Sequence, residues 1–275
     1  MGIDQMMDKM ARGQKAMIGM VHCLPLPGTQ NYRGSVEELF ERAVSDAVIL
    51  WKCGVDAVIV ENTNDLPQSR LLEIEQVAAL SSVVRAVVER IEIPVGVDAS
   101  FNDGAAGMAI AYCAGGSFIR SPVFVDRVEV TGIGEIGPCC KEVIRMRRFL
   151  GANQVKIFAD VQVKHSHMVN ESVTLEESCR AAADSGADAL IVTGVSTGKK
   201  TSSESLRIAK QAVSVPIVIG SGFNAEIAGE QFQSADGAIV GTAFKQGGSI
   251  TNPVDEELCM TLMKEIGRRP WEGHE

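Results

Sequence analysis

The strongest constraint on this chain is a rhythm of eight short β-branched runs, at residues 17–24, 55–61, 94–99, 117–120, 155–161, 187–193, 215–220 and 237–241. Several are apolar almost throughout, as strands buried on both faces are. Between them lie segments of helical period. The clearest is Val36, Leu39, Phe40, Ala43, Val44, Ala47, Leu50 and Trp51, one apolar stripe on a helix that covers a sheet. Ser35-x-x-Glu38 and Thr174-x-x-Glu177 have the form of capping boxes, where hydroxyl and carboxylate satisfy amides at a helix start. Parallel strands need crossovers, and eight βα units can close on themselves. The fold class read from this pattern is α/β, a single (β/α)8 TIM barrel over residues 17–267. An N-terminal extension, 1–16, precedes it and a tail, 268–275, follows. Met6, Met7 and Met10 fall at helical spacing, which predicts a short helix over one end of the barrel.

Internal echoes support closure. Gly54-Val-Asp-Ala-Val-Ile-Val60 resembles Gly186-Ala-Asp-Ala-Leu-Ile-Val192, and Ala235-Asp-Gly-Ala-Ile-Val240 follows the same pattern. Each combines a helix-ending small residue, a polar turn and a buried strand. A length of 275 residues with 45% hydrophobic side chains suits one large core, and no linker divides it. The net charge of −9 argues against a partner coated in phosphate, whether nucleic acid or anionic lipid. No stretch reaches the ~20 apolar residues of a membrane span, and the opening residues lack the apolar core of a secretory signal. The seven cysteines include no CxxC pair and read as reduced core thiols. A cytoplasmic protein is expected. The Met-rich N-terminus and the Arg268-Arg-Pro-Trp271 tail either pack on a neighbouring copy in a homo-oligomer or cover the barrel's own helices.

In such barrels ligands meet the C-terminal ends of the strands. Gly220-Ser-Gly222 after the seventh run and Gly241-Thr242 after the eighth stand where these barrels commonly grip phosphate, because glycine lets backbone amides approach an anion. Acidic and basic groups crowd the other strand ends: His22, Glu61, Asn62, Asp98, Asn102, Asp103, Arg120, Asp160, Lys164 and His165. Ionisable groups there are costly unless they face a polar cavity or one another. The reading assigns catalysis to Asp160, Glu61, His22, Lys164, His165 and Asp98, with Asp160 and Glu61 as the leading general bases. Lys164 either forms a Schiff base or neutralises phosphate, and its place past the strand end rather than in it favours the electrostatic role. Substrate contact is assigned to Gly220, Ser221, Gly222, Gly241, Thr242, Thr193, Gly194, Asn62, Asn102 and Arg120. The alternative is a set of structural salt bridges closing the barrel mouth.

Two motifs point elsewhere. His165-x-His167 has the spacing of a metal pair on one strand face, yet the chain has only four histidines. Gly132-Ile-Gly-Glu-Ile-Gly137 fits the dinucleotide fingerprint, but it falls in a long connection that equally suits a loop over the mouth. No metal and no cofactor is expected.

These residues also resemble a known family. Met17-Ile-Gly-Met-Val-His-Cys-Leu-Pro-Leu-Pro-Gly28, Val60-Glu-Asn62, Pro94-Val-Gly-Val-Asp98 with Asn102-Asp103, Ala159-Asp-Val-Gln-Val-Lys-His165, Gly220-Ser-Gly222, Val240-Gly-Thr242 and Asn252-Pro-Val-Asp255 look like the BtpA/SgcQ family. The resemblance runs from about residue 17 to 255, with departures at Phe101 and Ser121-Pro122. It implies a barrel of the phosphate-binding type; cyanobacterial members are linked to photosystem I accumulation and other bacterial members lie among sugar-uptake genes. The expected function is an enzyme, of lyase, isomerase or aldolase type, acting on a small phosphorylated metabolite. The alternative is a non-catalytic assembly factor or ligand sensor that keeps the pocket.

Overall fold

The computed structural model describes residues 1–194, 201–268 and 270. In chain order its elements are α1 (Ile3–Ala11), β1 (Ala16–His22), α2 (Val36–Lys52), β2 (Ala57–Glu61), α3 (Ile74–Val88), β3 (Val95–Asp98), α4 (Gly104–Ala114), β4 (Phe118–Ser121), β5 (Val128–Val130), β6 (Gly134–Ile136), α5 (Cys140–Leu150), β7 (Lys156–Val161), β8 (Ser166–Met168), α6 (Leu175–Asp184), β9 (Ala189–Val192), α7 (Ser203–Ala212), β10 (Ile217–Ile219), α8 (Ala225–Gln231), β11 (Gly237–Val240) and α9 (Glu256–Glu265). Eight parallel strands close in the order β1-β2-β3-β4-β7-β9-β10-β11. The closing pair is β1 with β11, in register from Ala16↔Gly237 to Gly19↔Val240. A closed barrel leaves no edge strand to pair with another chain.

Side chains alternate along each strand, so every second residue points into the barrel. One inward layer is apolar: Met20, Ile59, Phe118, Phe158, Ile191, Val218 and Ile239 belong to a single buried cluster. Phe118 and Phe158 stack with centroids 4.7 Å apart. Gly96 occupies the place beside them because a Cβ there would stand 2.4 Å from the Phe118 ring. Met6 and Met10 of α1 join this same cluster and are buried. The opposite strand faces pack against the surrounding helices in the larger core. The Thr174 capping box closes in both directions, and the Ser35 hydroxyl accepts from Glu38 N–H at 3.1 Å.

The sequence echoes have one shared mechanical role at the foot of the barrel. Asp56, Asp188 and Asp236 each precede a strand and accept the N–H of Met17, Ile157 and Ile217 on the preceding strand, at 2.8, 2.8 and 2.9 Å. Each also donates its own backbone N–H to the carbonyl of that same residue. Cations neutralise the three carboxylates: Lys9 and Arg268 at Asp56, Arg147 at Asp188, and Lys210 at Asp236. The repeat therefore reflects strand ends that would otherwise leave an amide unpaired.

A second, three-stranded antiparallel sheet, β6-β5-β8, is built from the connections after β4 and β7. Val123, Val128, Val130, Ile136 and Val163 form its own small apolar core. The Gly132–Gly137 stretch is the β5–β6 hairpin rather than a strand-to-helix turn, and α5 begins only at Cys140. No helix among the described residues is long and apolar enough to cross a membrane. Most of the tail at 268–275 lies outside the described residues.

The strand-foot role makes a measurable prediction. Asp236→Ala leaves the Ile217 amide without its acceptor and is expected to cost about 1–3 kcal/mol in urea unfolding. Asp236→Asn, which keeps an acceptor oxygen, loses less. Equal losses for the two variants would count against the amide-capping role.

Candidate functional site

The next inward position on each strand lies two residues beyond the apolar layer. There the chain carries His22, Glu61, Asp98, Arg120, Asp160, Thr193, Gly220 and Gly241. Register sets the first four side by side: His22 pairs with Glu61, Glu61 with Asp98, and Asp98 with Arg120. Five of the eight positions, on β1 to β4 and β7, are therefore ionisable, and the other three carry Thr193, Gly220 and Gly241. A Cβ on Gly220 would stand 2.5 Å from Ile191 Cγ2 and 2.6 Å from Thr193 Cγ2, so only glycine fits at that position.

Above this layer is a cavity of about 880 Å³, within the ~300–1,000 Å³ usual for small-molecule sites. His22, Glu61, Asp98, Arg120, Lys164 and His165 line it, as do Gly220, Ser221, Gly222, Gly241 and Thr242. The backbone N–H groups of Gly222, Phe223, Thr242 and Ala243 find no acceptor among the described residues. These are donors that the fold supplies and leaves unmatched, on the two loops after β10 and β11.

The ionisable half is tightly coupled. Arg120 Nε and Nη2 donate to Asp160 Oδ2 and Oδ1 at 2.8 and 3.0 Å, a bidentate pair. Arg120 Nε also lies 3.6 Å from Asp98 Oδ2. His22 Nε2 is 3.4 Å from Glu61 Oε2, and Ser100 Oγ donates to Glu61 Oε1 at 3.0 Å. Burial works to raise the Glu61 carboxyl, but the hydrogen bond and charge of His22, with Arg120 and Lys164, overcome it and bring it to about 2. Asp98 goes the other way. Burial and the neighbouring Glu61 raise it well above the carboxylate range, against the pull of Arg120. Its Oδ1 is buried with no hydrogen-bond partner among the described residues, as is His22 Nδ1. Two carboxyl groups on adjacent strands are thus driven apart, one held ionised and the other held protonated.

Several residues read as site residues have other places. Asp160 is fully buried, spends both oxygens on Arg120 and does not line the cavity. Asn62 and Asn102 do not line it either. Asn62 joins loops by accepting Ser100 N–H at 2.8 Å and donating to Asp65 at 2.9 Å. Asn102 brackets the Val123 backbone, accepting its N–H at 2.9 Å and donating to its carbonyl at 3.1 Å. Asp103 caps α4. Thr193 lies behind the lining, where its hydroxyl accepts Lys164 N–H at 2.9 Å. Gly194 is also outside the lining and borders 195–200, which lie outside the described residues. His165 and His167 are exposed at the mouth, and among the described residues no three His, Cys, Asp or Glu side chains cluster to hold a metal ion. Phe101, Val130 and Ile133 also line the cavity; of these only Val130 lies in a strand, and three-residue β5 is too short to show a readable alternation.

Comparison with known proteins adds three findings. The sequence model of the BtpA family matches residues 13–268. An uncharacterized protein of Pyrococcus abyssi is 38% identical over 92% of this chain and 96% of its own, and the photosystem I biogenesis protein BtpA of Synechocystis is 35% identical over 87% and 83%. Among solved structures, (S)-3-O-geranylgeranylglyceryl phosphate synthase from Thermoplasma acidophilum, in complex with substrate sn-glycerol-1-phosphate, superposes with a TM-score of 0.62 at 14% identity, covering 97% and 98% of the two chains.

The opposed carboxyls give a signed prediction. A buried acid with a raised folded-state pKa binds its proton more tightly when folded, so its stabilising contribution is present at low pH and lost as pH rises. Asp98→Asn should therefore gain stability over the parent as pH climbs above ~4, the ordinary aspartate value, and the gain should level off above the folded pKa. Tm measured for both proteins from pH 4 to 8 checks this. A gap that narrows with rising pH would contradict the raised pKa.

Proposed function

The chain belongs to the BtpA family, and from the barrel mouth we propose that it is an enzyme acting on a small phosphorylated metabolite. The observation that carries this reading is the two-sided layer beneath the cavity. Glycine and unmatched amides stand on the β10–β11 side, and a cluster of perturbed ionisable groups on the β1–β4 side. An anion held on the first side leaves the remainder of the ligand over the second. Binding energy from the phosphate then positions a reacting carbon without itself taking part in the chemistry. Asp98, protonated, is the proton donor; Glu61 stays ionised and orients His22. Arg120, fixed by Asp160, supplies positive charge for an oxyanion that develops during reaction. This arrangement suits a lyase, isomerase or aldolase. The solved structure of similar fold that holds sn-glycerol-1-phosphate supports a phosphorylated ligand.

One comparison favours a second reading. The Synechocystis relative is named for photosystem I biogenesis, and an assembly factor that retained this pocket would bind a phosphorylated ligand and return it unchanged.

Thermal unfolding against inorganic phosphate, glycerol phosphates and sugar phosphates tests the binding half. At ~100 times Kd a ligand adds about 2.7 kcal/mol, a Tm rise of roughly 5–10 °C for a domain of this size. Ala243→Glu, which places a carboxylate on an exposed position of the β11 loop, should abolish the rise while leaving the ligand-free Tm near the parent's. No rise with any phosphorylated compound would overturn the phosphate reading. A rise followed by recovery of unchanged ligand, seen by phosphorus NMR, would favour the assembly-factor reading.

A further inference from the structure

Resting on the reading of this cavity as a phosphorylated-metabolite site, we infer that Lys164 is a Schiff-base lysine and that the ligand carries an aldehyde or ketone carbon. Lys164 lines the cavity together with Asp98, Arg120 and Gly222, on the loop after β7, the strand that follows β4 in the barrel order. Its backbone is fixed by the Thr193 hydroxyl at 2.9 Å. Its ammonium group, by contrast, makes no hydrogen bond and no ion pair within 4.0 Å among the described residues. Lys164 is half-buried, whereas the fully buried Arg and Lys side chains among the described residues are committed. Arg120 is held by Asp160, and Lys245 donates to Asp46 at 3.3 Å and to the Asn252 carbonyl at 3.0 Å.

A lysine meant only as a counter-charge gains from staying ionised. Here burial and the neighbouring Arg120 lower its pKa, against the pull of Glu61, Asp160 and Asp98. Both effects enlarge the neutral, nucleophilic fraction of the amine. The groups needed for the rest of the step share the cavity. The Lys164 nitrogen forms a bond to the carbonyl carbon, and the oxygen takes up the ammonium proton as the carbinolamine forms. That oxygen then leaves as water, taking the proton of the Asp98 carboxyl, and the nitrogen is left as an iminium opposite an Asp98 carboxylate. Asp98 Oδ1, buried and without a partner, suits a group that must gain and lose a proton during turnover. The iminium draws electrons from the adjacent carbon, which is the shared requirement of aldol cleavage and of decarboxylation beside a ketone.

The test is reductive trapping on the full chain. The protein is incubated with dihydroxyacetone phosphate or glyceraldehyde 3-phosphate, reduced with sodium borohydride, and mapped by peptide mass spectrometry. The expected result is one reduced-imine adduct per chain on Lys164, with the mass of the ligand less one oxygen, suppressed by excess inorganic phosphate. Lys164→Arg keeps the charge, so it should keep the phosphate-dependent rise in Tm while adduct at this site falls at least about tenfold. A rise in Tm with these compounds but no adduct on Lys164 would overturn the Schiff-base role and leave the phosphate site standing. Absence of both would overturn the two together. An adduct spread over surface lysines and insensitive to phosphate also contradicts the inference.

Discussion

The barrel mouth depends on one bidentate ion pair between neighbouring strands. Glu61, Asp98 and Asp160 occupy the same inward layer, and a barrel interior offers little water to screen them. Arg120 lies among all three, with both of its strongest contacts on Asp160 and a longer one on Asp98. Surrounded in this way its own pKa rises despite burial, so the charge is permanent. A buried pair of this kind adds little net stability compared with apolar packing, but losing one partner leaves uncompensated charge. Its value here is arrangement. With Asp160 fully engaged, among the described residues Asp98 is left with one oxygen unpaired and Lys164 with no carboxylate within 4.0 Å, and both line the cavity.

The loops above are held by struts that do not touch the cavity. Asn62 ties the loop after β2 to the one after β3, and through Ser100 it steadies Glu61. Asn102 ties the loop after β3 to the one after β4. On the far side, the chain leaving the β11 loop is anchored by buried Lys245, whose partner Asp46 on α2 also accepts the Val254 amide at 2.9 Å. Amides that are to meet an anion need such a frame, because freedom in the loop would be lost on binding. The small β5-β6-β8 sheet adds a wall, with Val130 and Ile133 on the cavity side.

The fold was legible because its signals repeat. Eight buried strands, the helical stripes between them and the aspartates at 56, 188 and 236 all report one unit used several times. Strand-end placement was legible to the same extent: His22, Glu61, Asp98 and Arg120 stand together because period-two alternation and parallel register put them there. What the sequence could not show was which polar side chains turn toward the cavity. Asn62, Asn102 and Asp160 sit beside lining residues in the chain, yet each is committed to a neighbour that only the closed barrel brings near. The three-residue strands were equally hidden, since their pairing partners come from separate connections.

The proposed anion rests on the amides of the β10 and β11 loops, and amide NMR reads those groups directly. With the protein labelled with nitrogen-15, titration with sn-glycerol phosphate should shift the Gly222, Phe223, Thr242 and Ala243 signals together, with one common Kd. Shifts that bypass all four while other parts of the surface respond would place the anion elsewhere and contradict the account.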